Sequence, residues 1–144
     1  MSPVLQNHFA EYARFHATKG NQACHYFAIP LIVLSILAML AQVSLLFVGG
    51  YTVTAAEVAV IAVTLYYLTL DPILAAMMFL ITAAMAVAGR PIGLWGGLGL
   101  FVLGWVIQFV GHYVYEKKSP AFYQNLVHLL VGPLWVLAKA TGRR

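Results

Sequence analysis

Apolar residues in this chain run in long blocks that charged residues only punctuate, and the blocks set the expected elements. Asp, Glu, Lys and Arg are absent from residues 20–56, 58–70, 72–89, 91–115 and 119–138. A helix that crosses a bilayer needs roughly 20 mostly apolar residues. The first block therefore predicts a span from Cys24 to about Val48, closed by Gly49-Gly50. A second is expected to start near Tyr51, with Glu57 close to its outer end, and to stop at Asp71-Pro72. Asp suits an N-cap and Pro the first helical turn, while the residue before Pro resists helix. A tight hairpin should thus lead into a third span, Pro72 to Gly89, and a fourth from about Ile92 to Tyr115.

The two ends read differently. Ser2-Pro3 can start a helix that puts Leu5, Phe9, Tyr12 and His16 on one side and Gln6, Asn7, Glu11 and Arg14 elsewhere, the pattern of an amphipathic helix on a membrane surface. It lacks the basic start and apolar core of a cleavable signal. Beyond Glu116-Lys117-Lys118-Ser119-Pro120, the apolar segment Ala121 to Ala138 is interrupted by Gly132-Pro133. Charge decides how to read it. With four spans and both ends cytoplasmic, Arg14, Lys19, Lys117, Lys118, Lys139, Arg143 and Arg144 lie inside and Arg90 outside, whereas a fifth span balances the two sides. The positive-inside rule favours four spans and an interfacial or re-entrant C-terminal helix. The expected fold is all-α: one integral membrane domain over residues 1–144, a polytopic, multi-pass helical bundle.

Composition agrees. The 144 residues are 62% hydrophobic and 8% charged, against roughly 45–50% and about 25% in soluble domains. That excludes a soluble globular fold. The net charge of +4 comes from only eight Lys and Arg, with no long run or aromatic-interleaved stripe, which argues against nucleic acid and for contacts to anionic lipid headgroups. Cys24, the single cysteine, cannot form an intrachain disulfide or a thiolate metal site.

Five histidines in so apolar a chain carry the main chemical signal. Under the four-span topology His16, His25, His112, Glu116 and His128 all fall at or near the cytoplasmic mouth, while Glu57 and Arg90 stand isolated on the other side. His112 and Glu116 are four apart and share a helix face that Gln108 continues inward. A turn at Gly20-Asn21, with a new helix near Gln22, would bring His16 and His25 together, and Pro30 should kink that helix. Neutral imidazoles with a carboxylate suit Fe(II), Zn or Mn. His8 reads as a surface residue. Gly93, Gly97, Gly104 and Gly111 read as close helix packing.

Two motifs carry a family resemblance. Tyr12-x3-His16-x4-Asn21-x3-His25-x4-Pro30 lies near the start, and Gln108-Phe-Val-Gly-His112-x3-Glu116-Lys117-x2-Pro120-Ala121-x3-Asn125-Leu126 near the end. Together with the order of spans between them, they resemble the Mpo1-like membrane proteins over essentially the whole chain. The resemblance implies an Fe(II)-dependent dioxygenase of fatty acid α-oxidation and of phytosphingosine-type breakdown, one that converts a 2-hydroxy fatty acid and O₂ to CO₂ and a fatty acid one carbon shorter. It implies His16, His25 and His112 as iron ligands. Glu116 matches its acidic position, as a ligand or as a partner that orients His112, and Tyr12, Asn21 and Asn125 match its polar positions. His128 falls where the family often has an amide, and Ala28 replaces a glycine common before the Ile-Pro. Lys117 or Arg14 is expected to pair with the substrate carboxylate.

Partners expected on this reading are the 2-hydroxy fatty acid, O₂ and membrane lipids, with no nucleic acid and with a homo-oligomer left open. The host is a bacterial inner membrane or the endoplasmic reticulum, the site facing the cytoplasm. Competing readings are a haem protein with two histidines as axial ligands and a non-catalytic lipid-binding module. A transporter ranks below both, because its polar groups should line a path through the bilayer.

Overall fold

The computed structural model describes residues 1–143 and is helical for most of its length. Its elements are α1 (Pro3–Arg14), α2 (Lys19–Leu40), β1 (Ser44–Val48), β2 (Tyr51–Thr54), α3 (Ala55–Leu68), α4 (Pro72–Gly89), α5 (Gly93–Val110) and α6 (His128–Ala140). A 3-10 turn, Arg90–Ile92, precedes α5, a π-helical turn, Gly111–Glu116, continues it, and a second 3-10 turn covers Ala121–Tyr123. Two helical stretches, Lys19–Leu40 and Pro72–Glu116, are long and apolar enough to cross a membrane.

The chain divides into two compact units, Met1–Pro30 with Leu103–Arg144, and Leu31–Val102. In the second unit, Leu37, Ala41, Ala56, Val60 and Ala86 form an apolar core. Its few polar side chains serve the backbone. Asp71 caps α4 as its sequence predicts, with Oδ1 accepting the N–H groups of Ile73 and Leu74 at 3.0 and 2.9 Å ahead of Pro72 at the first helical position. Thr54 and Glu57 form a reciprocal capping box at the start of α3.

Residues 41–54 depart from the expected helix. The first span ends at Leu40, and Ser44–Val48 pairs antiparallel with Tyr51–Thr54 around Gly49-Gly50, with a bulge between Ser44 and Leu46. Both glycines have positive φ, 57° and 84°, the combination a two-residue hairpin turn needs and other residues resist. An uncharged run of Leu, Phe and Val satisfies helix and strand patterns alike, and here the glycine pair decides for the strand. The start of the next helix moves accordingly, from Tyr51 to Ala55, leaving α3 only 14 residues. Glu57 and Arg90 are not isolated: they pair at 2.7 Å, and Arg90 also donates to the Tyr51 hydroxyl and the Thr52 carbonyl.

In the first unit α1 begins as expected, Ser2 accepting the Leu5 N–H ahead of Pro3. Tyr12, Ala121, Val131 and Trp135 pack α1, the second 3-10 turn and α6 around one core. The C-terminal apolar segment thus becomes a 3-10 turn and a 13-residue helix holding Pro133, too short to cross a bilayer alone. Pro30 lies within α2, where it removes one backbone donor.

Candidate metal centre

A short turn between α1 and α2 brings the first two histidines together, and the carboxylate of Glu116 shapes it. Glu116 Oε1 accepts the Ala17 N–H at 3.0 Å, and Oε2 accepts the Thr18 N–H at 2.9 Å, the Thr18 hydroxyl at 2.8 Å and the Asn21 amide at 3.3 Å. Asn21 Nδ2 also donates to the Phe15 carbonyl at 2.8 Å, and Gln22 Nε2 to the His16 carbonyl at 2.7 Å. A buried carboxylate with four donors is well satisfied, and those donors fix the backbone on either side of His16.

The turn therefore occupies residues 15–18, not Gly20-Asn21 as the sequence suggests. Gly20 already lies in the first turn of α2. Its role is clearance: a Cβ there would stand 2.3 Å from the Tyr115 ring. Gly111 works the same way, since a Cβ on it would stand 2.5 Å from Asn21 Oδ1 and 2.9 Å from Cys24 Cβ. These two glycines let α2 and the π-helical turn close to contact distance.

The π-helical turn presents His112 and Glu116 to that contact. Such turns insert an extra residue into the helical ladder and cluster at functional sites. His16, His25 and His112 are all buried, with exposures of 1%, 0% and 1%. Their ring centroids lie 4.3 to 4.9 Å apart, every pair close to perpendicular. One nitrogen from each falls within 4.8 Å of the others.

Hydrogen bonding settles what two of these rings offer. His16 Nδ1 lies 2.6 Å from the Tyr12 carbonyl and His25 Nδ1 2.9 Å from the Asn21 carbonyl. A carbonyl only accepts, so each Nδ1 carries the proton and each neutral ring presents a bare Nε2 lone pair. Those two Nε2 atoms face each other at 3.0 Å. No proton is left to bridge them, so the approach is repulsive unless a cation lies beside both. His112 adds a buried Nδ1 with no hydrogen-bond partner among the described residues. Nitrogens bound to one ion at about 2.0–2.1 Å lie about 3.0–3.5 Å apart, so the 3.0 Å between His16 and His25 fits two ligands of one transition-metal ion. The 3.0 Å between these nitrogens is too short for His16 and His25 to bind one metal ion from opposite sides at about 2 Å each.

Burial, reinforced by the neighbouring His25, lowers the His16 pKa to about 3, which keeps the ring in its ligand form. Tyr12 stacks on His16 with centroids 3.9 Å apart and 12° between planes. Burial raises its phenol pKa, so it stays protonated.

The remaining predicted residues distribute around this centre. Asn21 lies in the turn network, and Gln108 is buried one turn before His112 with Oε1 unpartnered. Asn125 Oδ1 accepts the Val127 N–H at 3.0 Å just before α6. Lys117 ends the π-helical turn in a left-handed conformation, φ 56°, and is exposed. His128 does not join the triad. It stands beside His8 and Glu11, and His8 is half-buried, not a surface residue. The basic residues on a cleft of about 490 Å³ are Arg14 and Lys118, alongside Glu11, Gln124, Asn125 and His128. Lys118 carried no sequence signal that set it apart from Lys117. Its Nζ reaches the Arg14 carbonyl at 3.1 Å.

Comparison with known proteins matches residues 3–144 to a family model described as "2-hydroxy-palmitic acid dioxygenase Mpo1-like". The chain is 31% identical to the Saccharomyces cerevisiae protein named 2-hydroxy-palmitic acid dioxygenase MPO1 over 127 residues, covering 88% of this chain and 73% of that one. No solved structure matches.

Proposed function

The chain belongs to the Mpo1-like family, and from that premise we propose that it is an Fe(II)-dependent dioxygenase acting on 2-hydroxy fatty acids. The single observation that carries the metal reading is the pair of unprotonated Nε2 atoms of His16 and His25 facing at 3.0 Å beside buried His112. On this reading those three residues hold the ion. Bound iron would supply O₂ activation and an anchor for the substrate's carboxylate and 2-hydroxyl.

The reaction takes one 2-hydroxy acid and one O₂, breaks the C1–C2 bond, and yields CO₂, water and the acid one carbon shorter, whose carboxyl is the former hydroxyl carbon. The chain's own residues orient and protect. The Tyr12 and Asn21 carbonyls hold the His16 and His25 rings through Nδ1–H, fixing their tautomer and direction. Glu116 acts as a positioning residue through its grip on residues 17, 18 and 21. Tyr12 covers the outer face of His16 and keeps its proton, so it can donate but not serve as a base. Arg14 and Lys118, with Gln124 and Asn125, give the open cleft a surface that suits an entering carboxylate.

The membrane arrangement belongs to the same proposal. The stretch Pro72–Glu116 has 45 residues, about twice the length of one crossing, and breaks at Arg90–Gly93. Two crossings from it, one from α2, and the 14-residue α3 as a short fourth would make a four-span, multi-pass protein with both ends cytoplasmic. The acyl chain would stay in the bilayer while its carboxyl end reaches the metal.

The test is oxygen consumption by anaerobically purified protein given Fe(II) and 2-hydroxypalmitic acid, with the shortened acid measured by mass spectrometry. One equivalent of O₂ per shortened acid is expected. Protein that binds no iron and consumes no oxygen under these conditions overturns the reading.

A further inference from the structure

Outside the triad, one more group of side chains converges with unsatisfied ligand atoms. His8 and Glu11 lie one turn apart on α1, and His128 opens α6. One ligand atom from each falls within 4.8 Å of the others. His128 is 4% exposed, and its Nδ1 lies 3.1 Å from the Ala121 carbonyl. That carbonyl accepts from Nδ1–H, which leaves Nε2 facing the other two residues. That Nε2 is buried and has no hydrogen bond among the described residues. It lies 3.4 Å from Glu11 Oε2. His8 contributes a buried Nδ1 without a partner. Its ring stands perpendicular to that of His128, with centroids 6.3 Å apart.

Two buried imidazole nitrogens without a hydrogen bond among the described residues and a carboxylate oxygen thus share one small volume. We propose that His8, Glu11 and His128 form a second divalent-metal site that ties α1 to α6. The donor set, two imidazoles and one carboxylate, suits Zn(II), Fe(II) or Mn(II) and disfavours Ca(II) and Mg(II), which take oxygen ligands. The site is distinct from the triad. Tyr12 stands between them, stacked on His16 on one side and 5.9 Å from the His128 ring on the other. Glu11 is half-exposed and lines the open cleft with His128. The second site is therefore reached from solvent, and its ion should exchange faster than one held by three buried histidines. Arg14 and Lys118 line the same cleft, so binding depends on the three ligands and not on the cleft's general charge.

The test is a metal count on the full chain in detergent, stripped with chelator and titrated with Co(II) alone, followed by calorimetry and by the visible ligand-field bands. Wild type is expected to bind two equivalents, the weaker lost in His128→Ala and in Glu11→Gln while the tighter persists. His112→Ala should lose the tighter and keep the weaker. His8→Ala, at a half-buried position, guards against a folding defect and should weaken only the second equivalent, at least about tenfold, with far-ultraviolet circular dichroism unchanged. One equivalent in wild type, abolished by His112→Ala, overturns the proposal, as do two equivalents that survive His8→Ala and Glu11→Gln undiminished. A Glu11→Gln variant that alters only His128 protonation, read by NMR, would mark a simple ion pair and overturn it too. The count does not depend on turnover, so it stands or falls apart from the dioxygenase reading.

Discussion

The two compact units bury polar groups for different purposes. In Leu31–Val102, the buried polar residues are Ser35, Thr54 and Asp71, each bonded to a backbone group at or within four residues of its own helix. In the other unit they are His16, Asn21, His25, Gln108, His112, Glu116 and His128. Asn21, Gln108, His112 and His128 each leave a buried atom without a partner among the described residues. Capping residues complete a helix and then have nothing left to offer. Orphaned polar atoms are costly to bury, and this unit keeps four of them, three around the histidine triad, which is what the proposed metal ion would account for.

The contrast can be broken by substitution. The largest effect should come from His16→Ala, His25→Ala or His112→Ala, each lowering metal occupancy and oxygen consumption by more than about 100-fold, whereas Arg90→Gln in the other unit should leave both near wild type. Metal analysis and an oxygen electrode decide this, and equal losses in the two units would erase the distinction. Next, Glu116→Ala should weaken metal binding by about 10–100-fold by releasing the turn at residues 15–18, with Glu116→Gln retaining more because it can still accept hydrogen bonds.

Smaller effects concern stability. Gly111→Ala drives a methyl into Asn21 and Cys24, an overpacking that costs about 1–3 kcal/mol and should also lower metal affinity. Asp71→Ala removes a cap worth about 0.5–2 kcal/mol and should lower the unfolding midpoint with metal binding intact. The last prediction concerns pH. Metal-free protein holds His16 near pKa 3 against an ordinary 6.5, so the unfolded state takes up a proton the folded state refuses as pH falls below 6.5. Stability should therefore drop between pH 6.5 and 3, by at most about 1.4 kcal/mol per pH unit from this residue. His16→Gln should flatten that slope in denaturant titrations.

What the sequence made legible follows from locality. Ser2-Pro3 and Asp71-Pro72 announce helix starts because capping needs only neighbours in the chain. The histidine triad was readable from the two motifs because each motif is short, so its residues stay close along the chain even where it turns between elements. The hairpin at residues 44–54 was not, since an uncharged Leu-Leu-Phe-Val run has no period that separates helix from strand. Nor was the role of Gly20, which depends on a tyrosine 95 positions away. Glu116 was expected near His112, and it is, but the backbone donors it serves belong to a turn nearly 100 residues earlier.

The hairpin has a practical consequence. Leu46, Phe47 and Val48 are exposed by 63%, 74% and 63% on a ribbon of only two strands. Both long edges offer unpaired backbone groups next to greasy side chains, the combination that recruits further strands in water. The ribbon is therefore the expected weak point in handling this protein. Phe47→Lys should slow aggregation in detergent, read by light scattering over time.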